Sequence, residues 1–133
     1  MSMPFTHSQQ LQANKDLEQV LTGVVSPLPT AGTFMPPPVL VDVIAQWRLV
    51  LLFYAAVHHV DEQLAVRGYL PSRTHTQRKR RIRQVWAHLS SIIADYEQLE
   101  LRSREARYEG WVPDPSDLAS AATILDDIEQ QLV

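Results

Sequence analysis

The stretch FYAAVHHVDEQLAVRGYLPSRTH, residues 53–75, sets the fold of this chain. It continues an apolar run over residues 39–57, and apolar side chains around most of a helix are typical of the central helix of a bundle. Gly68 ends that helix, the following residues form a turn, and Ser72 or Thr74 can cap the next helix. The stretch therefore predicts two successive helices joined by a short turn.

Helical patterns continue on both sides of this stretch. Residues 8–22 predict a first helix, and residues 26–38 predict an extended connector, because proline removes backbone donors and fixes φ. The third helix is expected to continue to about Tyr108 with a break near residues 90–91, and a last helix begins at Asp114. No segment predicts a strand. We therefore expect an all-α protein, an antiparallel up-and-down bundle of four to five helices.

Size and composition fit one globular domain. The chain has 133 residues, in which residues 1–38 form the N-terminal helix and proline-rich connector and residues 39–133 the helical bundle. Because cysteine is absent, disulfides and thiolate sites are excluded. The first 15 residues lack the pattern of a signal peptide, and charged residues interrupt the apolar run. We expect a cytoplasmic protein with no membrane span.

Basic residues are concentrated in one segment. Seven of the 12 lysines and arginines lie from Arg67 to Arg83, a segment without an acid. From Glu109 to the end the chain carries six of its 15 acids and no lysine or arginine. The fold is therefore expected to have one positive and one negative surface, unless the two segments neutralise each other across a contact.

The arginine-rich segment is the stronger candidate for a binding surface, because the planar, forked guanidinium group suits phosphate. It predicts binding of RNA or another polyanion; the structural alternative is a solvated face, or one paired with acids of the last helix or of a partner. Reversing Arg78, Arg80 and Arg81 to glutamate is expected to abolish binding without unfolding the domain. The predicted nucleic-acid-binding residues are Arg73, Arg78, Lys79, Arg80, Arg81 and Arg83.

Several short motifs resemble HEPN domains, the small helical bundles found with nucleotidyltransferases and in defence systems. They are YAAVH at 54–58, the Gly68 turn with SRTH at 72–75, and SREARY at 103–108. The resemblance covers residues 48–110. It implies an up-and-down bundle of four or five helices, frequently dimeric, which acts as a ribonuclease toxin, an RNA- or nucleotide-binding module, or an inactive partner.

The resemblance also bears on catalysis. Catalytic members of the family carry an arginine followed four to six residues later by a histidine, but no histidine follows Arg104 or Arg107 here. Arg83 and His88 do have a suitable spacing, within the basic segment. A histidine can act as general acid or base and an arginine can stabilise phosphorane-like charge. Such a spacing arises easily by chance in a basic cluster. We therefore treat a metal-independent ribonuclease that uses Arg83 and His88 as an alternative function.

A second set of polar residues is expected to converge where the central helix meets the following helices. The set is Tyr54, His58, His75, Arg104 and Tyr108. Its functional interpretation is a polar pocket or dimer seam for a nucleotide phosphate, and its structural alternative is a hydrogen-bond network that fixes helix register. His58 and Glu62 share a helix face and His75 could add a third metal ligand, but spacing alone is weak evidence. We predict no metal and no cofactor.

Together these features predict a non-catalytic, HEPN-like homodimer that binds RNA or another polyanion through an arginine-rich helix, in a toxin–antitoxin or defence-type system. The alternatives are a HEPN ribonuclease and a protein-interaction partner of a nucleotidyltransferase or of another protein. RNA cleavage that His88→Ala abolishes would identify the ribonuclease. A copurified acidic protein would identify the interaction partner.

Overall fold

The computed structural model describes Lys15, Glu18 and residues 38–132, and residues 38–132 form four α-helices. The helices are α1 (Pro38–Val66), α2 (His75–Val85), α3 (Ser90–Tyr108) and α4 (Pro115–Gln131). The described residues contain no strand, which confirms the predicted all-α class for this part of the chain. The predicted helix 8–22 and connector 26–38 lie outside the described residues, apart from those just named; Lys15 and Glu18 are helical.

The central helix of the bundle is α1, as its nearly continuous apolar sequence predicted. It contacts α2, α3 and α4, so it needs apolar side chains on most of its circumference. Its most deeply buried side chains include Leu49, Phe53, Val60 and Leu64. The segment Leu40–Val66 is also long and apolar enough to cross a membrane, a property that core helices of globular proteins share.

The helix α3 runs antiparallel to α1. Near the middle of both helices, the rings of Phe53 and Tyr96 meet edge to face with centroids 5.6 Å apart. Near the start of α1, the side-chain amide of Gln46 donates to the carbonyl of Trp111, beyond the end of α3, at 3.2 Å. A residue that comes earlier in α1 therefore contacts a residue that comes later in or after α3. This is the antiparallel packing expected for these two helices.

The start of α4 follows directly from its local sequence. The Asp114 carboxylate accepts from the Asp117 N–H at 2.8 Å, and the Asp117 carboxylate accepts from the Asp114 N–H at 2.9 Å. This capping box, with Pro115 in the first turn, satisfies backbone donors that the helix leaves free. At the other end, the ring of His59 hydrogen-bonds the Leu132 carbonyl at 2.9 Å and ties α4 to α1.

A glycine ends α1. Gly68 has a φ of +88°, a conformation in which a residue without a Cβ is not strained. The Tyr69 N–H donates to the Leu64 carbonyl at 3.0 Å, which closes the last turn in a Schellman arrangement. Six residues after Gly68, the Thr74 hydroxyl accepts from the Gln77 N–H at 3.0 Å and caps α2. The predicted stop and the predicted cap are both confirmed.

The predicted long third helix is two helices, with a break slightly earlier than expected. α2 ends at Val85 and α3 begins at Ser90. In the turn between them the Leu89 N–H donates to the Trp86 carbonyl at 2.9 Å, and Trp86 is buried in the core. The break allows α2 and α3 to pack against each other instead of continuing as one rod.

The helices α1 and α2 run parallel to each other. The ring of His75, at the start of α2, lies 5.6 Å from the ring of Phe53. The guanidinium of Arg67, just after α1, lies 5.0 Å from the ring centroid of Trp86, just after α2. Residues 67–74 therefore carry the chain back along α1 before α2 begins. The simple up-and-down order does not hold for this pair, because helix patterns in a sequence do not specify the path of a connecting segment.

A buried ion pair attaches α2 to α1. The Nε and Nη2 atoms of Arg78 each donate to one carboxylate oxygen of Asp61 at 3.0 Å. The two side chains are only 8% and 5% exposed. Burial alone would lower the pKa of Arg78, but the hydrogen bond and the charge of Asp61 outweigh it and raise that pKa. Because water cannot reach either group freely, each charge depends on the other.

Removing one member of this pair is expected to destabilise the domain strongly. Arg78→Met should lower the free energy of unfolding by about 3–5 kcal/mol, because the Asp61 carboxylate is then buried without a counter-charge. Combining it with Asp61→Leu removes both charges and should recover most of the loss. Urea unfolding followed by circular dichroism measures both variants. A single variant as stable as the wild type would contradict the burial of this pair.

Candidate polyanion-binding surface

One of the predicted nucleic-acid-binding residues is in the interior. Arg78 is 6% exposed, so the expectation that the arginine cluster faces solvent is wrong for this residue. Position 78 shares the inner face of α2 with Ile82, four residues later, and that face packs on α1. Charge reversal here would place two carboxylates together in the core. The predicted triple reversal is therefore expected to unfold the domain and not only to abolish binding.

Two further cations of the cluster are paired on the flank that faces α3. The Lys79 ammonium donates to a carboxylate oxygen of Glu100 at 2.9 Å. Arg83, one turn later, forms an exposed ion pair with Glu97. The sequence allowed pairing of this cluster with the acidic last helix, but in the described residues the partners of these two cations belong to α3.

Three cations keep an uncompensated charge, and we call them the α2 ridge: Arg73, Arg80 and Arg81. Arg73 and Arg80 are exposed, and no carboxylate of the described residues lies within ion-pair distance of either. Arg81 donates to the Leu70 carbonyl at 2.6 Å and to the Ser72 hydroxyl at 3.1 Å, neither of which is charged. Arg80 points outward because two residues after Arg78 correspond to about 200° of rotation.

The predicted catalytic pair lies across the end of a helix. Arg83 is in the last turn of α2 and is held by Glu97, whereas His88 is exposed in the turn that follows. Because α2 ends at Val85, the two residues do not belong to the same helix. Within the described residues no hydrogen bond joins the two side chains.

The predicted polar-pocket residues lie at the surface of three helices, on α1, in the first turn of α2 and in the C-terminal half of α3. His75 lies at that surface, close enough to Arg104 for the arginine charge to lower its pKa. The Tyr54 hydroxyl accepts from Nη1 of Arg107 at 3.3 Å, and the ring of Tyr108 is 70% exposed. His58 is half-buried on α1, one turn after Tyr54. Arg107 was not among the predicted residues, although its place in the SREARY motif could have indicated it.

Partial burial and the charges around His75 together lower its pKa. Its Nδ1 lies 3.0 Å from Nη1 of Arg78; because a guanidinium only donates, Nδ1 accepts and the proton of the neutral ring is on Nε2. Partial burial lowers the pKa of His75 first and the charge of Arg78 second; Lys79 and Arg104 act in the same direction and Glu100 in the opposite one. The lowered pKa favours the neutral form of His75 at pH 7.

Two polar groups behind this surface were not predicted from the sequence. The Tyr96 hydroxyl and one carboxylate oxygen of Glu100 are buried without a hydrogen-bond partner among the described residues. Burial raises the pKa of Tyr96, and the positive charge of Arg78 opposes that change. Both side chains sit on α3 opposite α2. A helical pattern alone does not distinguish such positions from ordinary core positions.

The described residues contain no cluster of three histidine or acidic side chains that could hold a metal ion. His75, which the sequence offered as a third ligand, directs Nδ1 to Arg78 instead. Comparison of the chain with protein-family models, curated proteins and solved structures found no match. The functional interpretation therefore rests on the geometry of the charged surfaces.

The lowered pKa of His75 predicts a pH-dependent contribution to stability. Below about pH 6.5 His75 binds a proton more readily in the unfolded chain than in the folded protein. The free energy of unfolding therefore falls as the pH drops. His75→Gln keeps an acceptor for Arg78 but cannot titrate. We expect the variant to lose less stability than the wild type between about pH 7.5 and about pH 5.5. Urea unfolding across this range measures the difference, and identical profiles would contradict the lowered pKa.

Proposed function

We propose that this protein is a non-catalytic, HEPN-like helical module that binds RNA through the α2 ridge. The observation that carries the proposal is the uncompensated charge of Arg73 just before α2, of Arg80 on its solvent side and of Arg81 beside the preceding loop. We further propose that it works as a cytoplasmic homodimer in a toxin–antitoxin or defence-type system. That part of the proposal extends the motif resemblance of residues 48–110.

Binding would proceed by charge neutralisation along the helix. Arg73 lies two residues before the start of α2, and Arg80 lies near its middle, five residues or roughly 7.5 Å beyond its first residue at 1.5 Å per residue, so each can contact a different phosphate. Arg81 is held in place by its hydrogen bonds to the preceding loop, which reduces the entropy lost on binding. Arg83 can join them, because an exposed pair such as Arg83–Glu97 is weak and a phosphate competes with it.

We favour binding over cleavage because of the predicted catalytic residues themselves. Arg83 is engaged by Glu97, and His88 lies beyond the end of α2, exposed to solvent. A general acid or base works within hydrogen-bond reach of the group it serves. Because no hydrogen bond among the described residues brings Arg83 and His88 together, this pair gives little support to a ribonuclease. Docking of the ridge on an acidic protein, such as a nucleotidyltransferase, is the remaining alternative.

A matched pair of charge reversals tests the ridge. Arg80→Glu should weaken binding of a single-stranded RNA at low salt by about tenfold, because it loses a phosphate contact and adds repulsion. Arg102→Glu changes the net charge equally but lies on α3, over the ring of Trp111 at 4.9 Å, away from the ridge. Fluorescence anisotropy with a labelled RNA compares the two. Equal losses would show that only net charge matters and would contradict the ridge.

The salt dependence gives a second test. Three phosphate contacts predict a slope of about −2 for log Kobs against log salt with single-stranded RNA. Arg80→Glu should make this slope shallower by about 0.7, whereas Arg102→Glu should leave it unchanged. RNA length is expected to stay constant in EDTA. Fragmentation that His88→Ala removes would establish the ribonuclease alternative, and the absence of both binding and cleavage would favour a protein partner.

A further inference from the structure

The C-terminal end of α1 and the turn that follows it carry a run of exposed apolar residues. Every residue of the segment AVRGYLP, residues 65–71, is exposed to solvent, and five of the seven are apolar. Val66 is 76% and Leu70 is 79% exposed, the highest values among the large hydrophobic side chains of the described residues. We call residues 65–71 the apolar tip. Because apolar surface in contact with water costs free energy, the tip indicates a partner that covers it.

The backbone of the apolar tip already has hydrogen-bond partners within the protein. The N–H groups of residues 67–69 donate to carbonyls in the last turn of α1 at 3.0 Å, and Pro71 has no N–H to satisfy. The Leu70 carbonyl accepts from Arg81. A segment that leaves water for an apolar phase loses the hydrogen bonds that its backbone made to water. Internal partners reduce that cost, so the tip is suited to enter an apolar phase.

Two arginines without an acidic partner border the apolar tip. The guanidinium carbon of Arg81 lies 5.3 Å from the ring centroid of Tyr69, and the same side chain bonds the Leu70 carbonyl. Arg73 is exposed two residues after the tip. No carboxylate of the described residues forms an ion pair with either arginine. The partner of the tip therefore combines an apolar phase with negative charge at its surface.

The bundle separates this positive side from its most acidic helix. Both α2 and α4 pack on α1 and on α3, but among the described helices α2 and α4 do not contact each other. They therefore lie on opposite sides of the α1–α3 pair. The helix α4 carries four acids and no basic residue. In the last turns of α1, Asp61 is neutralised by Arg78 and Glu62 is partly buried. A negatively charged surface can thus approach the tip while α4 stays on the far side.

We propose that the apolar tip is a peripheral membrane-binding site for the surface of an anionic phospholipid bilayer. Val66 and Leu70 enter the boundary between the headgroups and the acyl chains. The ring of Tyr69 stays at the level of the headgroups, where amphipathic aromatic rings are favoured. Arg73 and Arg81 bind the lipid phosphates, which concentrate at the same depth.

A bilayer fits the apolar tip better than a protein groove does. The tip is convex, with seven consecutive residues exposed, and a protein partner would need a groove of matching shape. A bilayer accepts apolar side chains without such a match. The site does not rest on the proposed RNA binding, since RNA does not require Val66 and Leu70. It shares Arg73 and Arg81 with the α2 ridge, so RNA and vesicles are expected to compete.

Sedimentation of the full-length protein with phosphatidylcholine vesicles that contain about 30% phosphatidylserine tests the site. Val66→Ser combined with Leu70→Ser should weaken vesicle binding by about tenfold or more, because two apolar side chains no longer leave water. Leu101→Ser combined with Val112→Ser is the matched control, since it removes two exposed apolar side chains on and after α3. The control should change binding by less than about twofold. Circular dichroism confirms that both variants are folded.

A single label measures insertion directly. Because the chain has no cysteine, Leu70→Cys allows an environment-sensitive fluorophore to be attached at the apolar tip alone. Its emission should shift to the blue when anionic vesicles are added, as the label leaves water. The same fluorophore at Leu101→Cys, an exposed position on α3, should show no shift.

The outcomes separate this proposal from its competitors. Absence of binding to anionic vesicles, or equal binding to pure phosphatidylcholine, overturns it. Vesicle binding that the serine variant at Val66 and Leu70 retains shows that the arginines act alone, and also overturns it. A dimer that the same variant dissociates in light scattering assigns the tip to a second copy instead. Vesicle binding lost in this variant while RNA binding is retained supports the proposal. Vesicle binding without any RNA binding supports the tip and rejects only the RNA function of the α2 ridge.

Discussion

The buried pair of Asp61 and Arg78 is the interaction on which the described structure depends. With 11 residues, α2 is too short to be stable on its own, so its position comes from its contacts with α1 and α3. The bidentate geometry fixes both the place of α2 along α1 and its rotation about its own axis. Once Arg78 points inward, Ile82 enters the core, Arg80 points to solvent, and His75 is oriented at the edge of α3.

The rotation of α2 about its axis places the basic side chains of residues 73–83 in different environments. One arginine becomes part of the core, two cations are paired on the flank facing α3, and three are left without a carboxylate partner among the described residues. The effective positive field is therefore smaller than the count of basic residues indicates, but it is directed. The arginines of α3 add a second positive area beside the first turn of α2. A polyanion that followed both areas would cross from one helix to the other.

Much of the fold could be predicted because its signals are local. The stop at Gly68, the cap at Thr74 and the capping box at Asp114 each depend on side chains within a few residues of the backbone groups they satisfy. The apolar sequence of α1 likewise predicted its central place. The parallel orientation of α1 and α2 could not be predicted, because it depends on the path of residues 67–74 between the two helices. The polar surface of Tyr54, His75, Arg104 and Tyr108 was indicated by motif alone, and Arg107 was overlooked.

The sequence by itself determined that the described part of the chain is helical and that its positive charge is concentrated in one short segment. Those properties follow from hydrophobic periodicity, capping residues and composition, which require no knowledge of distant contacts. Only the tertiary structure decided which guanidinium is buried, which are neutralised and which remain available. The physical reason is that Asp61, 17 residues before Arg78, has to be desolvated when α2 packs on α1. A buried carboxylate requires a counter-charge, and meeting that requirement fixes the direction of every other side chain on the helix.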